Sequence, residues 1–178
     1  MLETFLAPGV VLLGLVSLER LGELWLARRN TAKLMAQGAH EVAPGHYPAI
    51  VVMHGLWLVG LWIWASQLPL AISWVALFLV LQFMRIWVLW TLGARWTTRI
   101  IVLPGETLVR NGPYRFVSHP NYLVVIGEIA VLPLCFGLVW YGVIFSAVNA
   151  AVLAIRIKAE NEALARIAPA KAVHGEPH

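Results

Sequence analysis

Three long apolar runs dominate the first half of the sequence. They cover Leu6 to Ala27, Pro48 to Ser66 and Pro69 to Leu92. In a helix, about 18 or more apolar residues are enough to cross a hydrocarbon core roughly 30 Å thick. Because lipid offers backbone groups no hydrogen-bond partner, such runs are expected to be helical. The chain is 60% hydrophobic and only 12% charged, which excludes an ordinary soluble globule of 178 residues.

Two shorter apolar segments follow in the second half. Tyr122 to Phe136 and Leu138 to Ile155 meet near Pro133 and Gly137, a pattern typical of a helical hairpin. The sequence therefore predicts an all-α, polytopic transmembrane helical bundle of about five spans with a C-terminal helical hairpin, forming a single membrane domain over residues 1–178.

The basic residues predict the orientation of these spans. Eleven of the thirteen lysines and arginines fall in three stretches, which are Arg28 to Lys33, Arg95 to Arg115 and Arg156 to Lys171. With five spans and an external N-terminus, all three stretches lie on one side, and the positive-inside rule makes that side cytoplasmic. We therefore expect an integral protein of a bacterial inner membrane with a cytoplasmic C-terminus. The basic stretches favour contact with membrane lipid and form no nucleic-acid recognition motif.

Several charges lie inside the predicted spans. Glu19, Arg20 and Glu23 share the first span, Arg85 lies in the third, and Glu128 lies one turn into the fourth. Charges at this depth are costly and usually face the bundle interior. The sequence predicts an ion pair between Arg85 and one of the glutamates, and leaves open whether the first-span charges are structural or line a substrate site.

The segment from Gly93 to Asn121 is the longest connection between spans, and long connections in compact proteins are often functional. Gly112-Pro113 marks a turn, and His119-Pro120 directly precedes the fourth span. The free amides of this helix start, with His119 and Tyr122 beside them, are suited to a polar or nucleotide-like ligand. The alternative is a purely interfacial anchor at headgroup depth, made by Tyr114, Arg115, His119 and Tyr122.

The last span ends with Arg156 and Glu160, one turn apart. The two side chains share a helix face, and the predicted hairpin places them near the segment that ends at Tyr122. The alternative interpretation is a solvated ion pair that says nothing about function.

These motifs in this order resemble the isoprenylcysteine carboxyl methyltransferase (ICMT) family of membrane enzymes, which use S-adenosylmethionine. The resemblance covers residues 93–164 and consists of Gly112-x-Tyr114, His119-Pro-x-Tyr122 and Arg156-x-x-x-Glu160. It implies that residues 93–164 form a cofactor-binding methyltransferase core. The apolar runs predict that residues 1–92 form three N-terminal transmembrane helices, and residues 165–178 are expected to form a flexible tail. The chain departs from the family pattern at Ser118, Val124 and Asn161, which leaves the acceptor open.

The resemblance also implies site residues. Glu160 and Arg156 are the candidate catalytic residues, with Arg156 binding the acceptor, and Arg99 matches a further cofactor position loosely. The candidate cofactor-binding residues, besides Arg99 and Glu160, are Glu106, Thr107, Leu108, Val109, Tyr114, His119, Pro120, Asn121 and Tyr122.

The function implied by the resemblance is S-adenosylmethionine-dependent O-methylation, on a carboxyl or hydroxyl group, of a lipophilic or lipidated acceptor at the cytoplasmic face, with no metal. The acceptor would be isoprenylcysteine-like or a lipidic polyketide. Two alternatives remain open, namely an NADPH-dependent sterol-reductase-like membrane enzyme and a non-catalytic membrane subunit. The chain has no Gly-x-Gly-x-x-Gly after a strand, which argues against a soluble Rossmann-type methyltransferase.

Overall fold

The structure, a computed structural model, describes residues 7–105, 107 and 109–167. Helices dominate this part of the chain and confirm the predicted helical membrane fold. The five α-helices are α1 (Pro8–Ala36), α2 (Tyr47–Ala65), α3 (Ile72–Leu92), α4 (Pro120–Leu134) and α5 (Val139–Ile167).

Three of the helical stretches are long and apolar enough to cross a membrane. They are Tyr47–Ala65, Ile72–Arg95 and Val139–Glu160. Helix α1 has sufficient length but carries Glu19, Arg20 and Glu23 in its middle, and α4 is apolar but only 15 residues long. Membrane crossing by α1 and α4 therefore stays a prediction.

The outermost helices extend beyond the apolar runs that predicted them. Helix α1 continues past Ala27 to Ala36, and α5 continues past Ile155 to Ile167. The added residues are rich in Ala, Arg, Lys and Glu, which favour helix as strongly as apolar residues do. Hydropathy predicts the part of a helix that lipid can surround, not the point where the helix ends.

The predicted C-terminal hairpin is present. Helix α4 ends at Leu134, and the chain reverses through a turn in which Gly137 has a φ of +73°. The amides of Gly137 and Leu138 donate to the carbonyls of Leu134 and Pro133 at 3.0 Å, closing the helix end. Helix α4 then packs along α3 on one side and α5 on the other.

A charged network lies among α1, α3 and α4. The guanidinium of Arg85 donates to both carboxylate oxygens of Glu128, with Nε at 2.7 Å, and Nη1 donates to Glu23 at 3.1 Å. Arg20 contacts Glu23 at 2.9 Å and Glu128 at 3.0 Å. The predicted ion pair between Arg85 and a glutamate of the first or fourth span is confirmed. Arg85 in fact pairs with two glutamates, Glu23 of α1 and Glu128 of α4.

A short antiparallel strand pair was not expected from the sequence. Residues His40–Glu41 pair with Ile101–Val102, and the amide of Val42 donates to the carbonyl of Ile100 at 2.9 Å. A strand of two residues gives no readable alternation, so hydropathy could not predict it. The pairing holds the α1–α2 connection against the segment that follows α3.

Candidate functional site

Three polar side chains of α4 and α5 meet near the start of α4. The hydroxyl of Tyr122 donates to the carboxylate of Glu160 and accepts a hydrogen bond of 2.8 Å from Nε of Arg156. We call Tyr122, Arg156 and Glu160 the bridged triad. The antiparallel hairpin creates it, because the first turn of α4 lies beside residues 156–160 in the second half of α5.

The geometry fits neither a purely interfacial anchor nor a solvated ion pair between Arg156 and Glu160. Arg156 and Glu160 form no direct ion pair, because the phenol of Tyr122 lies between them. Tyr122 and Arg156 are both buried, with 8% and 9% of their surface exposed. A headgroup anchor or a solvated pair would leave these side chains exposed. The triad is instead an interior polar group that opens toward the exposed edge of Glu160.

The guanidinium of Arg156 is held on two of its three nitrogens. Besides the bond from Nε to Tyr122, Nη1 donates to the main-chain carbonyl of Thr98 at 2.8 Å. The guanidinium carbon also lies 5.6 Å from the centroid of the Tyr122 ring. Within the described part of the chain, Nη2 has no hydrogen-bond partner. An arginine oriented in this way presents one free N–H face to a ligand.

His119 borders the same group. Its ring stacks on Tyr122 with centroids 5.1 Å apart, and Nδ1 lies 3.9 Å from the Glu160 carboxylate. Pro120 is fully buried at the first position of α4, where a missing N–H costs nothing. The side-chain oxygen of Asn121 is buried and has no donor among the described residues. A carboxylate, an imidazole and an unpaired amide oxygen therefore surround the start of α4.

Tyr114 lies on the short 3₁₀ turn Gly112–Arg115. It is half-buried against the cluster of Ala27, Val88 and Trp96. Burial, with a smaller contribution from the negative charge of Glu160, raises the pKa of Tyr114 to about 12. Tyr114 therefore stays a neutral phenol at physiological pH, close enough to feel the charge of Glu160.

Two of the predicted cofactor residues line a pocket at the end of α3. Thr107 and Val109 line an open pocket of about 580 Å³ near the C-terminal end of α3, together with Thr91, Leu92, Arg95, Arg110 and Asn111. None of these belongs to the bridged triad. Glu106 and Leu108, the other two residues predicted for this stretch, lie outside the described residues.

Arg99 is directed away from the triad. Its guanidinium pairs with Glu41 at 2.7 Å and lies over the ring of Tyr47 at 4.6 Å from the centroid. The contact of this segment with the triad is made by the carbonyl of Thr98, which no sequence motif indicates. A main-chain carbonyl leaves no signal in a sequence, so only the fold could reveal it.

These features define a helical integral membrane protein with a buried polar group at one end of a C-terminal hairpin. Comparison with known proteins agrees with that class. The model of the isoprenylcysteine carboxyl methyltransferase (ICMT) family matches residues 74–166, just over half of the chain. The chain belongs to this family, whose name supports a membrane methyltransferase.

Two bacterial relatives match over most of their length. The uncharacterized protein YpbQ of Bacillus subtilis is 40% identical over 161 residues, which is 86% of this chain and 95% of the relative. An uncharacterized protein of Haemophilus influenzae is 24% identical over 156 residues, which is 84% of this chain and 91% of the relative. No solved structure was found to match the chain.

Proposed function

We propose that the protein is an S-adenosylmethionine-dependent O-methyltransferase that acts on a lipophilic acceptor at the cytoplasmic face of a bacterial inner membrane. The observation that carries the proposal is the bridged triad. Tyr122 ties a carboxylate, Glu160, to an arginine, Arg156, whose Nη2 has no partner among the described residues. One end of the triad suits a cationic ligand and the other an anionic one.

The residues around Glu160 fit the cofactor's chemistry. S-adenosylmethionine carries a cationic sulfur, an ammonium group, two ribose hydroxyls and an exocyclic amine beside one carboxylate, so its positive charges and donors outnumber its negative charge. The site offers acceptors to match, namely the carboxylate of Glu160 and the ring of His119 beside it. When bound, the cofactor supplies a methyl group activated by its positive sulfur.

Arg156 would hold the acceptor. A guanidinium with a free Nη2 binds an anionic oxygen of a carboxylate, phenolate or enolate through charge-assisted hydrogen bonds. A carboxylate is already ionised at neutral pH, so the site needs no general base for it. The contribution of the protein is then to place the two reactants and exclude water, which matches the burial of Arg156 and Tyr122.

The acceptor would enter from the bilayer. Helices α3 and α5 are apolar spans whose surfaces are largely unburied by the rest of the described chain, so they lie against lipid. The cofactor is charged and would enter from the aqueous side, where the basic stretches of the sequence lie. An isoprenylcysteine-like molecule or a lipidic polyketide would satisfy both requirements.

The first experiment is calorimetric titration of the detergent-purified protein with S-adenosylhomocysteine. We expect saturable binding, at least tenfold weaker in Glu160→Gln, because one charged hydrogen-bond acceptor contributes about 1.5–3 kcal/mol. Glu162→Gln is the matched control, since it makes the same change at an exposed position of α5. Absence of binding by the wild type overturns the proposal, and binding of NADPH in its place supports a reductase.

The second experiment measures transfer of labelled methyl groups to two probe acceptors, tetradecanoate and 3-pentadecylphenol. We expect Arg156→Ala to lower transfer by at least tenfold while S-adenosylhomocysteine binding changes by less than threefold. Unchanged transfer by Arg156→Ala contradicts the acceptor role of Arg156 and leaves the cofactor assignment standing.

A further inference from the structure

The short segment Gly93–Thr98 joins the end of α3 to the bridged triad, and we call it the linker segment. Its last residue supplies the carbonyl that accepts a hydrogen bond of 2.8 Å from Nη1 of Arg156. This bond and the bond from Nε to Tyr122 together define the plane of the guanidinium. The position of the linker segment therefore decides where the free Nη2 lies.

A buried asparagine of α1 holds the linker segment. Asn30 is 4% exposed, and its amide nitrogen donates to the carbonyls of Gly93 at 3.1 Å and Trp96 at 3.0 Å. The amide nitrogen of Asn30 carries two protons, and it donates both to main-chain carbonyls of residues more than sixty positions away in the sequence. Trp96 is itself buried against Ala27 and Val88, so the segment is fixed by packing as well.

The start of α2 holds the other end of the segment. The hydroxyl of Tyr47 lies 3.1 Å from the hydroxyl of Thr98, and the ring of Tyr47 lies under the guanidinium of Arg99. Arg99 is paired in turn with Glu41 of the short strand pair. Contacts from three parts of the N-terminal half thus converge on residues 93–99.

We propose that Asn30 is a positioning residue for acceptor binding, acting through the linker segment and the carbonyl of Thr98 on the guanidinium of Arg156. The inference rests on the proposed function of Arg156. Neither Asn30 nor Tyr47 lies within residues 74–166, the part that matches the family model. The N-terminal helices then do more than anchor the chain, because they set the orientation of the acceptor-binding group.

The test is a double-mutant cycle read by calorimetry. Wild type, Asn30→Leu, Arg156→Ala and the double variant are saturated with S-adenosylhomocysteine and titrated with tetradecanoate. We expect Asn30→Leu to weaken tetradecanoate binding about tenfold and S-adenosylhomocysteine binding less than twofold. In the Arg156→Ala background, Asn30→Leu has no further effect, since the group through which it acts is gone.

Two further variants separate positioning from loss of stability. Gly60→Ala introduces a Cβ that overlaps the Tyr141 hydroxyl, far from the triad, so it lowers the thermal midpoint without weakening tetradecanoate binding. Tyr47→Phe removes the hydroxyl that contacts Thr98 and should weaken tetradecanoate binding about threefold. If Asn30→Leu does not fold, the same double-mutant cycle is measured with Tyr47→Phe in place of Asn30→Leu.

Equal effects of Asn30→Leu in both backgrounds, or no effect in the wild-type background, overturn the inference. Wild-type protein that binds S-adenosylhomocysteine but shows no Arg156-dependent binding of tetradecanoate overturns both the acceptor role of Arg156 and the positioning role of Asn30. Failure to bind S-adenosylhomocysteine is a different result, because it overturns the proposed methyltransferase.

Discussion

The hydroxyl of Tyr122 uses both of its hydrogen-bonding capacities inside the site. It donates to the Glu160 carboxylate and accepts from Nε of Arg156, which lies 2.8 Å away. A phenylalanine would have almost the same shape and ring contacts but would leave both charged groups without this partner. The motif His-Pro-x-Tyr therefore has a physical requirement for tyrosine at its last position.

Tyr122→Phe is expected to lower methyl transfer about 10- to 100-fold. A hydrogen bond to a charged group contributes about 1.5–3 kcal/mol, and each factor of ten in rate corresponds to about 1.4 kcal/mol. Steady-state kinetics with labelled methyl donor gives the measurement. Tyr141→Phe is the matched control, since its hydroxyl donates to the Trp57 carbonyl outside the site. Equal losses in the two variants would contradict a special role for Tyr122.

Tyr114 predicts a pH dependence at high pH. Its pKa in the folded protein is about 12, above the ordinary value of 10.0. Between these values the unfolded chain loses the phenolic proton and the folded chain keeps it, so the free energy of unfolding falls as pH rises. Tyr114→Phe should show a smaller fall between pH 10 and 12 in thermal unfolding. An identical slope in wild type and variant would argue against the raised pKa.

Among the elements, the 3₁₀ turn Gly112–Arg115 depends on a glycine for two reasons. Gly112 has a φ of +56°, and a Cβ there would overlap the side chain of Thr91 at the end of α3. Gly105 is a useful comparison, because it has a φ of +82° but open space where a Cβ would lie. The turn can thus be tested for backbone strain and close packing separately.

Gly112→Ala is expected to lower the free energy of unfolding by more than Gly105→Ala. Left-handed backbone costs a residue with a Cβ about 1–2 kcal/mol in both variants, and only Gly112→Ala adds the overlap with Thr91. Thr91→Ala combined with Gly112→Ala should recover part of the difference in thermal midpoint, because it removes the hydroxyl oxygen and the methyl group that the added Cβ would overlap. Equal destabilisation of the two single variants would mean that the contact with Thr91 does not constrain the turn.

The packing of α1, α3 and α4 depends on the buried charges. Arg85→Met should destabilise the protein by about 3–5 kcal/mol, because it leaves two buried carboxylates, Glu23 and Glu128, to share the guanidinium of Arg20. Arg85→Met combined with Glu128→Leu should cost less than Arg85→Met alone, since Arg20 then has to balance one carboxylate fewer. Unfolding in mixed detergent micelles gives both values. A double variant less stable than the single variant would contradict this account.

For the molecule as a whole, the site and the basic residues are expected on one side of the membrane. A green fluorescent protein fused after His178 should be fluorescent, and alkaline phosphatase at the same position should be inactive, as the positive-inside rule requires. Phosphatase inserted at Leu68, between α2 and α3, should be active because that connection has no basic residue. Active phosphatase at the C-terminus would reverse the predicted orientation.

Sequence patterns alone determined the helical membrane class, the five helices and the C-terminal hairpin, because a bilayer imposes length and hydropathy on every crossing segment. They also pointed to Tyr122, Arg156 and Glu160, since two motifs on adjacent antiparallel helices are brought together by any hairpin. The pair of Arg85 with buried glutamates followed from the cost of an unpaired charge in lipid.

Only the tertiary structure decided how these residues are connected. It placed the Tyr122 hydroxyl between Arg156 and Glu160, turned Arg99 toward Glu41, and gave Arg156 a second partner in the carbonyl of Thr98. It also brought Asn30 to the carbonyls of Gly93 and Trp96. Every residue has the same main-chain carbonyl group, and a contact between residues more than sixty positions apart depends on how the helices pack. Neither kind of contact can therefore be predicted from sequence motifs alone.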